Sequence, residues 1–347
     1  MSSVIQKECS YWVSLAFILA SFFMINVQDI AAQEHEQWIS YNGGEGPGHG
    51  KHIVFVSGDE EYRSEEALPL LAKILARHHG FDTTVLFSIN PETGYVDPQY
   101  QANIPGLEKL QTADLMVIFT RFRELPDQQM RYIDEYIQAG KPVIGMRTAT
   151  HAFNYEHNKD SPYAKYSFDN QEEGWEGGFG RQILGETWIA HHGIHNEEGT
   201  RGLINGIQKE KGNPVLQGVN DIWGPTDVYK VRELKGDPEV LVWGIPTRGM
   251  TSEAALNWQK SLMPIAWTRE YTSESGNKGR VFATTMGTAV DLESKDLRRL
   301  IVNACYWALQ MEEDITPDTN VALPSPYHPT MFGFGDHQKG KKPSFFK

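Results

Sequence analysis

The most regular feature of the sequence is an alternation of short apolar runs with longer amphipathic stretches. Residues 52–58 (HIVFVSG) form an apolar run that ends in glycine, which is typical of a strand buried on both faces of a sheet. Residues 64–80 follow with apolar positions at helical spacing, with Ser64 as the expected N-cap and Gly80 as the expected stop. This unit predicts a parallel strand followed by a helix that packs on the sheet.

The alternation continues through three more apolar runs and a second helix. Residues 82–87, 113–122 and 141–146 have the continuous apolar character of parallel strands, and residues 125–140 predict the helix before the last of them. We therefore predict an α/β fold with a flavodoxin-like parallel sheet, helices on both faces and the first strand near its centre. Ligands of such sheets bind at the carboxyl ends of the strands.

The pattern is interrupted over residues 156–260, which are rich in Gly, Trp and His. We predict a large irregular insertion over the strand ends, with only short strand-like pieces. Regularity returns with two apolar runs at residues 262–271 and 279–287, which predict two strands around a turn. Residues 294–310 then predict a closing amphipathic helix.

The chain begins with a pattern typical of a secretory signal peptide. A single lysine, Lys7, precedes an apolar run over residues 11–25, and the small residues Ala31 and Ala32 provide an expected cleavage site. We predict that residues 1–32 are removed and that the protein is exported to the periplasm or the extracellular space. An uncleaved membrane anchor is the alternative, although the apolar run is short for a stable span.

The mature chain is predicted to hold one domain between two irregular ends. Residues 33–51 are polar and glycine-rich, which predicts a linker, and residues 52–312 form the α/β domain. Residues 313–347 carry several prolines and predict an extended tail. The formal net charge of −13 and the absence of a basic patch before the last residues argue against a nucleic-acid binder. The sequence carries no signal for an oligomeric state.

Residues 141–155 (KPVIGMRTATHAFNY) bring polar side chains to the end of the fourth predicted strand. A sharp strand-to-helix turn can expose a nucleophile, and Thr148 or Thr150 with His151 as base would have the residue types that this chemistry needs. The alternative is that a threonine caps the next helix and that His151 is a satisfied polar residue.

Further candidates follow the first and third strands. Glu60 and Tyr62 lie in the loop after the first strand, and Arg121 follows the third. Arginine offers a planar fork of donors, so Arg121 is either a clamp for a carboxylate or sugar hydroxyls or a solvated loop residue. The chain has no glycine-rich phosphate loop and no dinucleotide fingerprint, so we expect no nucleotide cofactor.

A dense group of histidines lies within the predicted insertion. His191, His192 and His195 offer imidazoles, which are good ligands for zinc, copper or nickel, and on a strand His191 and His192 would point to opposite faces. The spacing alone does not define a metal site, which would need a further ligand, so we assign no metal. Asp227 and Tyr229 are two residues apart and would share one face of a strand.

Four stretches together resemble the trehalose-utilisation (ThuA-like) family, a branch of the class I glutamine amidotransferase-like superfamily. They are KPVIGMRTATHAF, FGRQILGETWIAHHG, GNPVLQGVNDIWGPTDVYKV and MPIAWTREYTSESGNKGRVFATTMG. The resemblance covers roughly residues 50–312, which is nearly the whole mature domain. It implies a flavodoxin-like sheet and a role in the catabolism of trehalose and related disaccharides, with keto-sugar intermediates.

The superfamily's amidotransferases carry a cysteine in a G-x-C-x-G turn on the fourth strand. Here Gly145 and Met146 lead into Arg147, which stands where the cysteine would be. Cys305, the only cysteine of the mature chain, lies on the predicted closing helix. The resemblance therefore excludes glutamine amidotransfer by that mechanism. ThuA-like proteins commonly have a histidine in this turn, and this chain departs from that pattern.

We predict an exported ThuA-like protein that binds and processes a small-molecule carbohydrate or keto-sugar derivative, as a hydrolase or a lyase and without a cofactor. His151 or His191 would be the general acid or base, and Arg147 would hold a carbonyl or carboxylate of the substrate. The other predicted binding residues are Glu60, Tyr62, Arg121, Thr148, His192, Asp227 and Tyr229. The alternatives are a non-catalytic carbohydrate-binding or scaffold protein of the cell envelope, and a metal-dependent hydrolase that uses His191, His192 and His195.

Overall fold

A computed structural model describes residues 37–347, so the predicted signal peptide lies outside the described residues. The strands are β1 (Trp38–Tyr41), β2 (His52–Gly58), β3 (Asp82–Leu86), β4 (Leu115–Thr120), β5 (Val143–Met146), β6 (His191–His192), β7 (Thr200–Ile204), β8 (Ile222–Gly224), β9 (Val228–Tyr229), β10 (Glu239–Pro246), β11 (Met263–Thr272) and β12 (Lys278–Thr284). The α-helices are α1 (Ser64–His79), α2 (Asp127–Gln138), α3 (Gly206–Glu210) and α4 (Lys295–Ala308).

Five parallel strands form the centre of a mixed sheet, in the order β3-β2-β4-β5-β12. The first of them in the chain, β2, lies inside the sheet, which is the flavodoxin-like order. Helices α1 and α4 pack on one face, whereas α2 packs on the other. The predicted fold class is therefore confirmed.

The apolar runs arise because each central strand is buried on both faces. In β2, Ile53 and Phe55 point into the hydrophobic cluster beneath α1 and α4, and Val54 and Val56 point into the cluster beneath α2. Burial of each such side chain contributes about 1.5–3 kcal/mol. Because helices cover both faces of the sheet, both sides of a central strand are apolar. The sequence therefore shows a continuous apolar run and not an alternation of apolar and polar residues.

The predicted insertion at residues 156–260 is more regular than expected. Strands β10, β7 and β8 continue the sheet beyond β11 through antiparallel pairing, so this part of the insertion extends the sheet instead of covering the strand ends. Strands β6 and β9 form a separate two-stranded sheet. Strands β7 and β8 are short and contain glycines. The sequence therefore shows no clear alternation of apolar and polar residues in this region.

The region predicted as a linker, residues 33–51, also contains regular structure. Strand β1 pairs antiparallel with β3 at the edge of the sheet, with Trp38 opposite Leu86. A four-residue edge strand is too short to give a periodic signal, which is why it was missed.

The chain after α4 is irregular apart from single turns at Glu312–Asp314 and Pro343–Phe346, and it lies along α1. The ring nitrogens of His78 and His79 contact the backbone carbonyls of Ala322 and Asn320 at 3.1 and 2.7 Å. The tail thus forms an outer layer over this helix. Among residues 37–347, no helix has the length and hydropathy needed to cross a membrane.

Candidate functional site

A sharp turn follows β5 at the carboxyl edge of the sheet. Residues Arg147–His151 form one turn of 3₁₀ helix, and all five are buried. Arg147 at its start has φ of 47°, a left-handed conformation that L side chains rarely adopt. Non-glycine residues in this conformation are often found at functional sites. The turn therefore has the strand-to-helix geometry that the sequence predicts, with an arginine at its apex.

The guanidinium of Arg147 is fully buried and lies between two tyrosine rings. Its central carbon is 4.1 Å from the ring centre of Tyr62 and 4.6 Å from that of Tyr229. Nη1 donates to the backbone carbonyls of Asp227 and Thr285, and Nη2 lies 3.6 Å from Asp227 Oδ1. Arg147 was expected to hold a substrate carbonyl or carboxylate. Because it has no solvent-facing surface, it instead holds Asp227.

Asp227 joins two histidines into what we call the histidine cluster: His191, His195 and Asp227. Asp227 Oδ2 is 2.5 Å from His191 Nδ1, and Oδ1 is 3.1 Å from His195 Nδ1. Burial opposes ionisation of Asp227. The hydrogen bonds from both imidazoles and the charge of Arg147 outweigh burial and hold the pKa of this carboxyl below its ordinary value.

The second nitrogen of His195 reaches another acid. His195 Nε2 lies 3.1 Å from Glu61 Oε1, so the ring bridges two carboxyl groups. The hydrogen bond to Asp227 and the two acidic charges raise the pKa of His195. Burial and the charge of Asp59 also raise the pKa of the Glu61 carboxyl, against the charges of Arg121 and His195, which lower it.

The two imidazoles form the accessible side of the cluster. The side chains of His191 and His195 are 34% and 28% exposed, whereas that of Asp227 is fully buried. A molecule that approaches the cluster from solvent therefore meets the imidazole rings first, backed by a carboxylate that it cannot reach. Both nitrogens of the His195 ring are already bonded to carboxyl groups.

Local pairing explains how residues from two loops meet here. Strand β6 pairs with β9, which places His191 opposite Tyr229 and beside Asp227. The chain then reverses at Gly193, which has φ of 125° and would place a Cβ 2.8 Å from that of Asp227. Only glycine fits this position without strain, and the reversal returns His195 to the cluster.

The aromatic ring of Trp188 lies near the histidine cluster and also borders a cavity. The ring of Trp188 lies 6.1 Å from that of His191 and 5.5 Å from that of His151, between ring centres. Trp188 and Phe168 also line a cavity of about 580 Å³, whose other walls include Arg181 and several polar residues. A cavity of this size accommodates a small ligand.

The turn residues predicted to carry out nucleophilic chemistry are enclosed. His151 Nδ1 is 3.1 Å from Thr150 Oγ1, so the structure does bring this pair together. Both residues are buried, however, and the His151 ring is packed against Phe122, Trp188 and Tyr229. Burial lowers the pKa of His151 well below its ordinary value, so the ring is neutral. His191 is the more accessible of the two predicted acid–base histidines.

Thr148 and Tyr62 are also occupied within the protein. Thr148 Oγ1 donates to Asp59 Oδ2 at 2.5 Å, and the other carboxylate oxygen of Asp59 accepts the backbone N–H groups of Glu61 and Tyr62. The buried ring of Tyr62 packs on Arg147. These two predicted binding residues therefore shape the loop after β2 and the wall behind the cluster.

Glu60 and Arg121, predicted as binding residues, instead pair with each other. Arg121 Nη1 lies 2.5 Å from Glu60 Oε1, and the buried Arg123 holds the other carboxylate oxygen at 2.8 Å. This ion pair ties the loop after β2 to the loop after β4. Neither charge is free to bind a ligand in this arrangement.

His192 points away from the cluster, as alternation along β6 requires. Its Nε2 contacts the backbone carbonyl of Ser261 at 2.8 Å, and burial lowers its pKa. The predicted trio of histidines is therefore not formed. Asp227 takes the third place, and the ligand atoms of His191, His195 and Asp227 lie within 4.8 Å of one another, a separation that could hold a metal ion.

Comparison with known proteins agrees with the sequence motifs. The model of the ThuA family, described as trehalose utilisation, matches residues 52–308. A ThuA-like protein from Bacteroides uniformis is 15% identical with a TM-score of 0.46, covering 80% of this chain and 97% of that one. One from Parabacteroides merdae is 16% identical with a TM-score of 0.46, covering 75% and 90%. No curated protein matches the chain. The family match spans most of the sequence, and the chain belongs to the ThuA family.

Proposed function

We propose that the protein binds and processes a small carbohydrate or keto-sugar derivative at the histidine cluster. Membership of the ThuA family supports a sugar-related role in broad terms. One observation carries the chemistry: His191 is partly exposed, and its Nδ1 is bonded to the fully buried carboxylate of Asp227. Export directed by residues 1–32 remains part of the proposal.

This pairing fits His191 for proton transfer. The carboxylate of Asp227 fixes the tautomer with the proton on Nδ1, which leaves Nε2 as the proton acceptor. In hydrolysis, Nε2 would take a proton from the attacking water. In elimination from a keto-sugar, it would remove the proton from the carbon between the carbonyl and the glycosidic carbon. The electron pair would then form the double bond as the glycosidic C–O bond breaks.

His195 suits the complementary role of proton donor. Held between Asp227 and Glu61, its imidazole is favoured in the charged form. To reach the departing oxygen, its Nε2 proton would have to leave the carboxyl group of Glu61. The cavity beside Trp188 and Phe168 would receive the sugar, because the C–H faces of sugar rings pack well on aromatic side chains.

The first test replaces the proposed base. We expect His191→Gln to lower turnover by at least about a hundredfold, the range typical of a lost general base, with little change in the folded structure. Turnover of trehalose, related disaccharides and their keto derivatives would be followed by NMR. The matched control is His49→Gln, since His49 is exposed and lies in the chain before β2.

Full activity in His191→Gln would contradict the role of the base. Wild-type protein that binds a sugar without converting any member of the series would favour the non-catalytic alternative.

A second candidate function is metal-dependent hydrolysis, and the convergence of two imidazole nitrogens on one carboxylate favours it. His191, His195 and Asp227 would be the ligands, and Glu61 would accept the Nε2 proton of His195, as carboxylates do behind metal-bound histidines. The ion would activate a water for attack. The buried positive charge of Arg147, 3.6 Å from Asp227 Oδ1, opposes a dication here. Proton transfer by His191 is therefore the leading proposal.

Titration with Zn²⁺ distinguishes the two candidates. Because of the Arg147 charge, we expect calorimetry to show only weak binding, equal in the wild-type protein and in His195→Gln. Stoichiometric binding to the wild type that is lost in His195→Gln would establish the metal centre and displace His191 as the base.

A further inference from the structure

The chain continues beyond the family match and returns to the histidine cluster. The match ends at residue 308, whereas the following segment runs along α1 and then crosses the loop after β2. We call residues 327–334 the strap. This segment reaches the reactive side chains from a part of the chain that the family match does not include.

Phe332 is the residue of the strap that contacts the cluster. Its ring centre lies 5.4 Å from that of His195 and 5.6 Å from that of Tyr62, on which it stacks. Phe332 is only 7% exposed, so it is a packed wall and not a surface offered to a ligand. His195 is thus enclosed by an aromatic ring on one side and held by two carboxyl groups at its nitrogens.

Hydrogen bonds fix the strap on both sides of Phe332. Gly333 donates its backbone N–H to the carbonyl oxygen of Glu61 at 2.9 Å, which fixes the residue that bonds His195 Nε2. Upstream, the N–H and hydroxyl of Thr330 both donate to the carboxylate of Glu66 at 2.7 Å, and Tyr327 donates to the carbonyl of Ala289 at 2.9 Å. The aromatic contact is therefore held in place by fixed anchors.

We infer that the strap is part of the functional site, where Phe332 is a positioning residue for His195 and closes the cluster on the α1 side. The inference rests on the proposed function for the identity of the site. Phe334, at the end of the strap, is 57% exposed, and its ring centre lies 5.0 Å from the guanidinium carbon of Arg121. The walls of the cavity beside Trp188 do not include His191 or His195, and Trp188 connects the two because its ring centre lies 6.1 Å from that of His191.

A binding site that is closed on one side restricts the size of the saccharide that can reach the reactive groups. A polysaccharide bound through its middle needs an open groove on both sides of the reactive groups, whereas a small saccharide or a chain end needs only one. On this inference, the strap favours mono- and disaccharide derivatives or chain ends, and equal activity on the interior of a polysaccharide would contradict this preference.

The test measures the accessibility of His195 directly. Phe332→Ala removes the ring, and Met331→Ala is the matched control because Met331 is its neighbour and is exposed. Both variants and the wild type would be treated with diethyl pyrocarbonate, and modification of each histidine would be followed by peptide mass spectrometry. We expect Phe332→Ala to react roughly two- to tenfold faster at His195, the range that corresponds to one aromatic contact. The exposed His157 in each protein provides the reference rate.

Equal rates at His195 in all three proteins would overturn the inference, as would an equal increase in Met331→Ala. If Phe332→Ala does not fold, Phe332→Leu tests the same contact, because it keeps an apolar side chain but removes the ring.

An activity measurement separates the inference from the proposed function. If His195 is modified faster in Phe332→Ala but the wild type converts no sugar, the role of the strap is supported and the proposed function is contradicted. If the wild type converts a sugar but modification of His195 is unchanged in Phe332→Ala, the proposed function is supported and the role of the strap is contradicted. In an active enzyme, we expect Phe332→Leu to raise KM more than it lowers kcat.

Discussion

Replacement of Arg147 by methionine is expected to lower the free energy of unfolding by about 3–5 kcal/mol, the usual result of removing one partner from a buried ion pair. The guanidinium bonds two backbone carbonyls and lies near the buried carboxylate of Asp227. A second buried acid, Asp291, also interacts with its charge. Without Arg147, these acids remain in the interior with less compensation.

Urea denaturation would measure the loss. The double variant Arg147→Met/Asp227→Asn is expected to lose less than the sum of the two single variants, since neutralising Asp227 removes the charge that Arg147 stabilises. Arg147→Lys is the control that keeps the charge but not the planar geometry. Strictly additive losses would show that Arg147 is not coupled to the charge of Asp227 and stabilises the fold only through packing and its hydrogen bonds to the backbone carbonyls.

Glu65 is expected to give the protein a strong dependence of stability on alkaline pH. Glu65 lies in the first turn of α1, is fully buried, and neither of its carboxyl oxygens has a hydrogen-bond partner in the described part of the chain. Burial raises its pKa from 4.5 to about 8. The folded protein therefore retains a proton that the unfolded chain releases above its ordinary pKa.

The direction of the pH dependence of stability follows from this difference in the pKa of Glu65 between the folded and unfolded states. The contribution of Glu65 is fully present below about pH 4.5, falls as pH rises towards 8, and is lost above it. At 1.36 kcal/mol per pH unit, the loss amounts to at most about 5 kcal/mol. Glu65→Gln removes the ionisation, so we expect it to unfold like the wild type at pH 5 and to be more stable at pH 9.

Urea denaturation at several pH values between 5 and 9 would measure this difference. Glu108→Gln is the matched control, because Glu108 is exposed. Parallel stability curves for the wild type and Glu65→Gln would show that Glu65 is ionised in the folded protein.

The sequence predicts the central sheet well because burial on both faces leaves a strong apolar signal. Strand β2 shows this, since its successive residues Ile53 and Val54 enter opposite cores. The short strands β7 and β8 carry no such signal, and they join the sheet only through pairing with residues distant in the chain. The same holds for the edge strand β1, which the sequence assigns to a linker.

The sequence brings candidate residues to the carboxyl edge of the sheet, but it does not determine which of them contact one another. Alternation indicates that His191 and His192 point in opposite directions, but only the pairing of β6 with β9 determines which one meets Asp227. Likewise, Glu61 faces His195, whereas its neighbour Glu60 turns to Arg121. The burial of Arg147 depends on tyrosines from two other segments, which no local pattern reveals.

The strap has a consequence for the order of folding. Arg63 and Thr330, which are hydrogen-bonded at 3.1 Å, are 267 residues apart in the chain. Contacts between such distant segments form late, because the entropy of closing a long loop opposes them until the rest of the domain is in place. A partly folded chain would thus have the sheet before it has an ordered His195. We therefore expect His195 to gain its contact with Phe332 only after the central sheet has formed.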